Sequence, residues 1–357
     1  MDENILKGYG YSLISANEFA KEFGKNKELL PARVIAEHKS LYVVVTEMGE
    51  LPANLSGKYM YELDARGGRP AVGDYVAVQV SETRDRAVIQ GYLPRKSLFY
   101  RADSFNGGMQ VLAANFDTVF ICMSLNQDFN IPRLERFLVM AKESGGQAVV
   151  VLTKADLSGG EGANLEICQA ICGDVPVYEV SAFNGQGLEV LRPYFAAGQT
   201  VVSVGSSGVG KSTLVNALFG EDIMKTAEIR EDDGKGRHTT VHRQIICLPS
   251  GGLYMDTPGL REVGLYAAED SVSDLYGDIE NLISQCRFSD CRHGNEPGCA
   301  IRAAMASGSL SKAQFDRYLK YKKEAAYATS REDYLIQRTQ FFKQVGKMNR
   351  QRKTKKR

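Results

Sequence analysis

Residues 199–220 read QTVVSVGSSGVGKSTLVNALFG, and the fold is decided there. The apolar run Val201-Val202-Ser203-Val204 leads into Gly205-Ser206-Ser207-Gly208-Val209-Gly210-Lys211-Ser212, which fits GxxxxGK[ST], and a helical stretch from Ser212 and Thr213 follows. Glycines in this loop let backbone N–H groups close around phosphate oxygens at a helix N-terminus, where the aligned peptide dipoles favour negative charge. Lys211 is then placed to reach the β- and γ-phosphates, and the Ser212 hydroxyl to ligate Mg2+. A glycine turn of purely structural meaning is the alternative, and the strand–loop–helix setting argues against it.

Downstream, RQIICLPS (243–250) and GLYM (252–255) read as a pair of strands ending at Asp256-Thr257-Pro258-Gly259. An aspartate at that place holds the magnesium shell, and Gly259 lies where a γ-phosphate is sensed. Alone, DTPG also reads as a simple turn. Upstream, the apolar segment TVFICMSL (118–125) is followed by the helical pattern PRLERFLVMAKESG (132–145). Then come AVVVLTKAD (148–156), NLEICQAICG (164–173) and PVYEVSA (176–182). Strands alternating with amphipathic helices predict a parallel α/β sheet.

Two short motifs end strands of that sheet, where ligands of open α/β sheets bind. In Thr153-Lys154-Ala155-Asp156, a carboxylate accepts two hydrogen bonds from the guanine N1–H and exocyclic amine, which adenine does not offer. Asp156 therefore separates GTP from ATP, with the Lys154 stem along the purine and Ser181-Ala182 supporting the base from the other side. These base-reading motifs precede the phosphate loop. Such an order is tolerable because joining the old termini and cutting one surface connection leaves a sheet intact.

Between about Pro31 and Pro94, five short β segments separated by Gly, Pro, Asn and Asp turns predict a small barrel: ARVIAEH, LYVVVTEM, KYMYEL, DYVAVQV and RAVIQGYL. An OB-fold and an SH3-like barrel both suit it. Tyr42, Tyr59 and Tyr61 are candidates for stacking on bases, or packing residues. Beyond Asp270 the strands stop, and Cys286, Cys291, His293 and Cys299 form C-x4-C-x-H-x5-C between helical segments. Four soft ligands of this kind suit a closed tetrahedral zinc site with no open position. Cys168 and Cys172 fall four apart on a helix and are expected on a packed face, and Cys122 and Cys247, in strands, in the core.

The chain has 357 residues, 43% hydrophobic and 24% charged, which fits several soluble modules and excludes wholesale disorder. No segment approaches the roughly 20 apolar residues of a bilayer span, and MDENILKGYGYS lacks the pattern of a signal peptide. A cytoplasmic protein without membrane contact is expected. The net charge of +1 conceals a basic end, NRQRKTKKR, suited to RNA backbone contact.

Taken together, TKAD, SA, GSSGVGKS, HTT and DTPG resemble the motifs of small GTPases in circularly permuted order. With its flanking modules, the chain resembles the YjeQ/RsgA family of permuted GTPases over roughly residues 30–340. That resemblance implies an OB barrel (31–97), a permuted GTPase domain (98–270) and a zinc-binding helical domain (271–340), set between a leader (1–30) and a basic tail (341–357). It implies GTP bound by Thr153, Lys154, Asp156, Ser181, Ala182, residues Gly205, Ser206, Ser207, Gly208, Val209, Gly210, Lys211, Ser212 and Thr213, and by Thr240, Asp256 and Gly259. Mg2+ falls to Ser212 and Thr240, with Thr239 an alternative, and one structural zinc to the cysteine–histidine set. Leu260 stands where Ras-like enzymes carry a water-orienting glutamine, so the resemblance points instead to His238 of the switch segment GRHTT; a surface histidine without such a role is the other reading. Thr153 replaces the commoner asparagine, which is expected to weaken one contact to the purine while leaving Asp156 intact. The partners implied are GTP and GDP, the small ribosomal subunit and its 16S rRNA, with the protein itself a monomer.

Overall fold

The computed structural model describes residues 5–38, 41–61, 68–102, 109–126, 128–158, 163–220, 223–224, 243–256 and 268–326. His238, Thr239, Thr240, Gly259, Leu260 and the basic tail lie outside these described residues.

Two leader helices, α1 (Ile5–Gly8) and α2 (Leu13–Phe23), precede the barrel, the second capped by the Ser12 hydroxyl on the Ser15 N–H. The barrel strands are β1 (Leu29–His38), β2 (Leu41–Thr46), β3 (Gly49–Leu55), β4 (Tyr75–Val80) and β5 (Ala87–Tyr92). Their order β1-β2-β3-β5-β4, closed by β4 pairing back on β1 from Leu29↔Gln79 to Arg33↔Tyr75, is that of an OB barrel. Alternate inward side chains, among them Val34, Val44, Val76 and Ile89, fill the interior.

The count of five strands holds, but one expected strand is misplaced. KYMYEL begins with a helix, α3 (Gly57–Tyr61), because the Ser56 hydroxyl accepts from the Tyr59 N–H at 3.1 Å and turns the chain. The third strand is GELPANL, whose Pro52 and polar residues read as a turn. Pro52 is tolerated because pairing with β5 starts only at Ala53. Tyr42 and Tyr59 are buried at 0% and 1% exposure, so neither offers a face to a base; Tyr61 is exposed.

A hairpin, β6 (Leu98–Ala102) with β7 (Met109–Ala114), leads into the α/β part. There β8 (Thr118–Ser124), α4 (Ile131–Glu143), β9 (Gln147–Thr153), α5 (Ala163–Cys172), β10 (Val177–Glu179), β11 (Thr200–Val204), α6 (Lys211–Phe219), β12 (Arg243–Cys247) and β13 (Leu253–Asp256) follow in turn. The sheet runs β10-β9-β8-β11-β13-β12, parallel except for β12. Cys122, Cys168 and Cys172 are buried; Cys247 is exposed, because side chains alternate along β12 and its neighbours Ile246 and Leu248 face the core, leaving Cys247 on the opposite side. One feature escapes sequence reading: β12 pairs antiparallel with β1 through Ala36↔Gln244 and Glu37↔Arg243, so barrel and α/β strands form a single sheet.

The chain divides into two compact units, Met1–Tyr100 with Val111–Glu262, and Arg101–Gln110 with Val263–Arg357. The second holds α7 (Glu269–Leu275), α8 (Gly277–Ser284), α9 (Ala300–Ser307) and a helix over 312–326, α10. No helix among the described residues is long and apolar enough to cross a membrane.

Candidate nucleotide site and metal centre

The phosphate loop joins β11 to α6, and its glycines are conformationally required. Gly205 has φ +149°, and a Cβ there would lie 2.5 Å from the Cys122 carbonyl oxygen. Gly210, at φ +101°, precedes Lys211, the first residue of α6. The Lys211 Nζ donates to the Gly205 and Ser206 carbonyls, both at 3.0 Å. Ser212 is half-buried and Thr213 exposed on the first turn of the helix.

The base-reading motifs meet this loop from β9 and β10. Lys154 adopts a left-handed backbone, φ 58° and ψ 41°, and its Nζ donates to the Gly208 carbonyl at 2.9 Å. Thr153, 4% exposed, hydrogen-bonds through its hydroxyl to the Val209 carbonyl at 2.6 Å. A threonine in place of asparagine therefore still braces the phosphate loop. Asp156 is exposed at the rim and accepts from the buried Ser181 hydroxyl at 2.5 Å, which aims the carboxylate. The Ala155 N–H donates to the Val180 carbonyl at 3.1 Å, tying the two motifs together, and Ala182 is half-buried beside Ser181.

Asp256 ends β13, in register with Ser203 of β11, and its pKa is raised by burial, with the Lys211 ammonium pulling it back down. Thr153, Lys154, Asp156, Ser181, the phosphate loop and Asp256 thus converge at the carboxyl ends of parallel strands. One residue was missed by sequence reading. Arg133, on the first turn of α4, donates from Nη1 to the Ser206 hydroxyl at 2.6 Å. The only sequence hint is a cation just after the strand that neighbours β11.

A sequence profile described as RsgA GTPase matches residues 92–266. The chain is 42% identical over 327 residues to the protein named small ribosomal subunit biogenesis GTPase RsgA 2 of Lactiplantibacillus plantarum, covering 92% of this chain and 91% of the relative. The chain belongs to the RsgA GTPase family. Members of the RsgA family are hydrolases acting on GTP. The correspondingly named protein of Opitutus terrae is 41% identical over 346 residues, 94% of each chain. The crystal structure of YjeQ from Thermotoga maritima superposes with a TM-score of 0.59 at 25% identity, covering 83% of this chain and 98% of that one. YloQ, described as a circularly permuted GTPase, gives 0.55 at 24%, covering 85% and 96%, and shares the fold.

The second unit carries a cysteine–histidine cluster able to hold one metal ion. The ligand atoms of Cys286, Cys291, His293 and Cys299 all lie within 4.8 Å of one another. His293 Nδ1 stands 3.6 Å from both the Cys286 and Cys299 sulfurs. Bond lengths of roughly 2.3 Å to sulfur and 2.0–2.1 Å to nitrogen in a tetrahedral site place those atoms about 3.6 Å apart, so the set fits one ion. His293 reaches this position with a left-handed backbone, φ 59°, and Phe315 of α10 packs edge-on against its ring at 5.6 Å. Burial pushes the Cys286 thiol up, and hydrogen bonds from the Ala300 and Ile301 N–H groups at the start of α9, with those from Cys291 and Cys299, together bring it below its ordinary value.

Proposed function

We propose that this GTPase acts in maturation of the small ribosomal subunit, binding the subunit with GTP and leaving it after hydrolysis that the subunit stimulates. The observation that carries the reading is the joining of the guanine motif to the phosphate loop by Lys154 and Thr153, which makes one site from segments in permuted order. Its relatives are named for small-subunit biogenesis along nearly their full lengths.

In this reading Asp156 selects guanine, Lys154 and Ser181-Ala182 flank the base, and the loop from Gly205 to Thr213 holds the phosphates. Ser212 and Thr240 would hold magnesium, which would supply neutralisation of charge on the phosphate oxygens. Asp256 would help hold the ion's shell, and Gly259 would read the γ-phosphate. His238 orients the water that attacks the γ-phosphorus; the bond to the bridging oxygen breaks, and GDP and phosphate leave. The cysteine–histidine centre holds zinc in a structural role, since all four positions are filled by protein. The barrel, zinc unit and basic tail contact 16S rRNA, and the protein works as a cytoplasmic monomer.

The test is phosphate release from GTP with and without purified small subunits, for the native chain and His238→Ala. Stimulation in the native chain and its loss in the variant are expected. Turnover unchanged by subunits overturns the proposed coupling, and unchanged turnover in the variant overturns the role of His238.

A further inference from the structure

The two ends of the phosphate loop are held by different groups. Gly208 and Val209 are braced by Lys154 and Thr153 of the base-reading motif. Ser206, at the other end, is gripped by two cations. Lys211 Nζ lies 3.0 Å from its carbonyl, and Arg133 Nη1 lies 2.6 Å from its hydroxyl. Among the described residues no carboxylate forms an ion pair with Arg133. Lys211 acts electrostatically on the Asp256 carboxylate, whereas the Arg133 guanidinium is ion-paired to no carboxylate among the described residues, which leaves surplus positive charge on that side of the loop for an anion to meet.

Lys211 marks which side it is. A lysine in this position reaches the β- and γ-phosphates, so the Ser206 end faces the terminal phosphate and the Gly208 end faces the base. From this arrangement we propose that Arg133 is a positioning residue of the phosphate cradle, acting through Ser206 to favour a nucleoside triphosphate over the diphosphate. The inference rests on the GTP-binding reading above. A guanidinium suits the task because it stays charged and its planar fork keeps the hydroxyl aimed. If Arg133 served only as a mechanical brace, both nucleotides would feel its loss equally, since both occupy the same loop.

The experiment is calorimetric titration of the full-length protein with GDP and with a GTP analogue bearing a methylene bridge between the β- and γ-phosphorus. Both are run with magnesium on the native chain, Arg133→Gln, Arg133→Lys, Ser206→Ala and the double variant Arg133→Gln/Ser206→Ala. Arg133→Gln is expected to weaken analogue binding about five- to tenfold more than GDP binding, the scale of one partly exposed charge contact. Arg133→Lys, which keeps the charge but not the fork, should restore part of the difference. Ser206→Ala should shift the ratio in the same direction, and the double variant should be no worse than Arg133→Gln, because the two act as one unit. Equal losses for both nucleotides, no loss at all, or strictly additive losses overturn the proposal. Ser206→Ala carries the test by itself if Arg133→Gln does not fold. A native chain that binds neither nucleotide overturns both this proposal and the GTP-binding reading; normal native binding with an unchanged ratio in the variants overturns this proposal alone.

Discussion

Replacing Arg33 with methionine is expected to destabilise the larger unit while leaving its nucleotide site working. Arg33 is 0% exposed and sits where the leader, the barrel and the α/β strands meet. Its Nε donates to the Gly73 carbonyl at 3.2 Å, and its Nη2 to the Asn115 carbonyl at 2.8 Å. Nη1 serves both the Tyr9 carbonyl at 2.6 Å and the Thr200 hydroxyl at 3.1 Å. The guanidinium also lies 4.9 Å from the centre of the Tyr75 ring. Methionine keeps much of the stem but orphans the Asn115 carbonyl and takes one of two donors from each of the other carbonyls, leaving Gly73 with the Asn115 side-chain amide and Tyr9 with the Tyr75 hydroxyl. An orphaned buried acceptor costs about 1–3 kcal/mol, and part of that is recovered because a buried charge no longer has to be desolvated. With each of the other lost hydrogen bonds contributing about 0.5–1.5 kcal/mol, a net loss of about 2–4 kcal/mol follows, equivalent to a fall of roughly 4–16 °C in melting temperature for a unit of this size. The chain has no tryptophan, so urea and thermal melts are best followed by far-UV circular dichroism. Thr200 opens β11 and the phosphate loop follows its far end, so GDP affinity of the folded variant should change less than about threefold, under 1 kcal/mol. A stability loss below about 1 kcal/mol would refute the reasoning, because it would mean that the hydrogen bonds are replaced at no cost.

Two further predictions follow from the sites. Metal analysis should find one zinc per chain, and removing it with a chelator should expose residues 268–326 to protease while leaving the larger unit folded; Cys299→Ser should mimic this, and an unchanged digestion pattern would contradict a structural metal. Asp256 has a pKa raised by burial, so its protonation favours the nucleotide-free fold as pH falls through that raised value, and this contribution is lost as pH rises through it. In the proposed site the ionised carboxylate helps hold magnesium, so magnesium-dependent GTP affinity should begin to fall at a pH above the ordinary carboxylate range, and Asp256→Asn should abolish that part of the pH profile.

Much of this architecture is legible in the sequence because its signals are local. The strand–loop–helix around Lys211, the alternation from Thr118 to Ala182 and the cysteine spacing each announce themselves within a few residues. GELPANL hides a strand because Pro52 and Glu50 suggest a turn, and its pairing with β5 depends on residues over thirty positions away. KYMYEL alternates as a strand does, yet the Ser56 cap turns it into a helix, and a short helix next to a barrel leaves no periodic pattern. Arg33 looks like an interruption in an apolar strand, and only the fold supplies its four acceptors. Pairing of β1 with β12, and the reach of Arg133 to Ser206, join segments with no shared motif. In the nucleotide site, Thr153 illustrates the same limit: its residue type departs from the usual motif, while its bond to Val209 keeps the motif's bracing role.

The most direct test of the central claim, that a motif placed before the phosphate loop reads guanine in the same site, is a base-specificity switch at Asp156. Xanthine carries a carbonyl where guanine carries the exocyclic amine, so a carboxylate repels it and an amide donates to it. Dissociation constants for GDP and xanthosine diphosphate, measured on the native chain and Asp156→Asn, should therefore exchange their order, each preference being roughly 100-fold or more. If Asp156→Asn still prefers GDP, or binds both nucleotides as the native chain does, Asp156 does not read the base and the assembled site is contradicted.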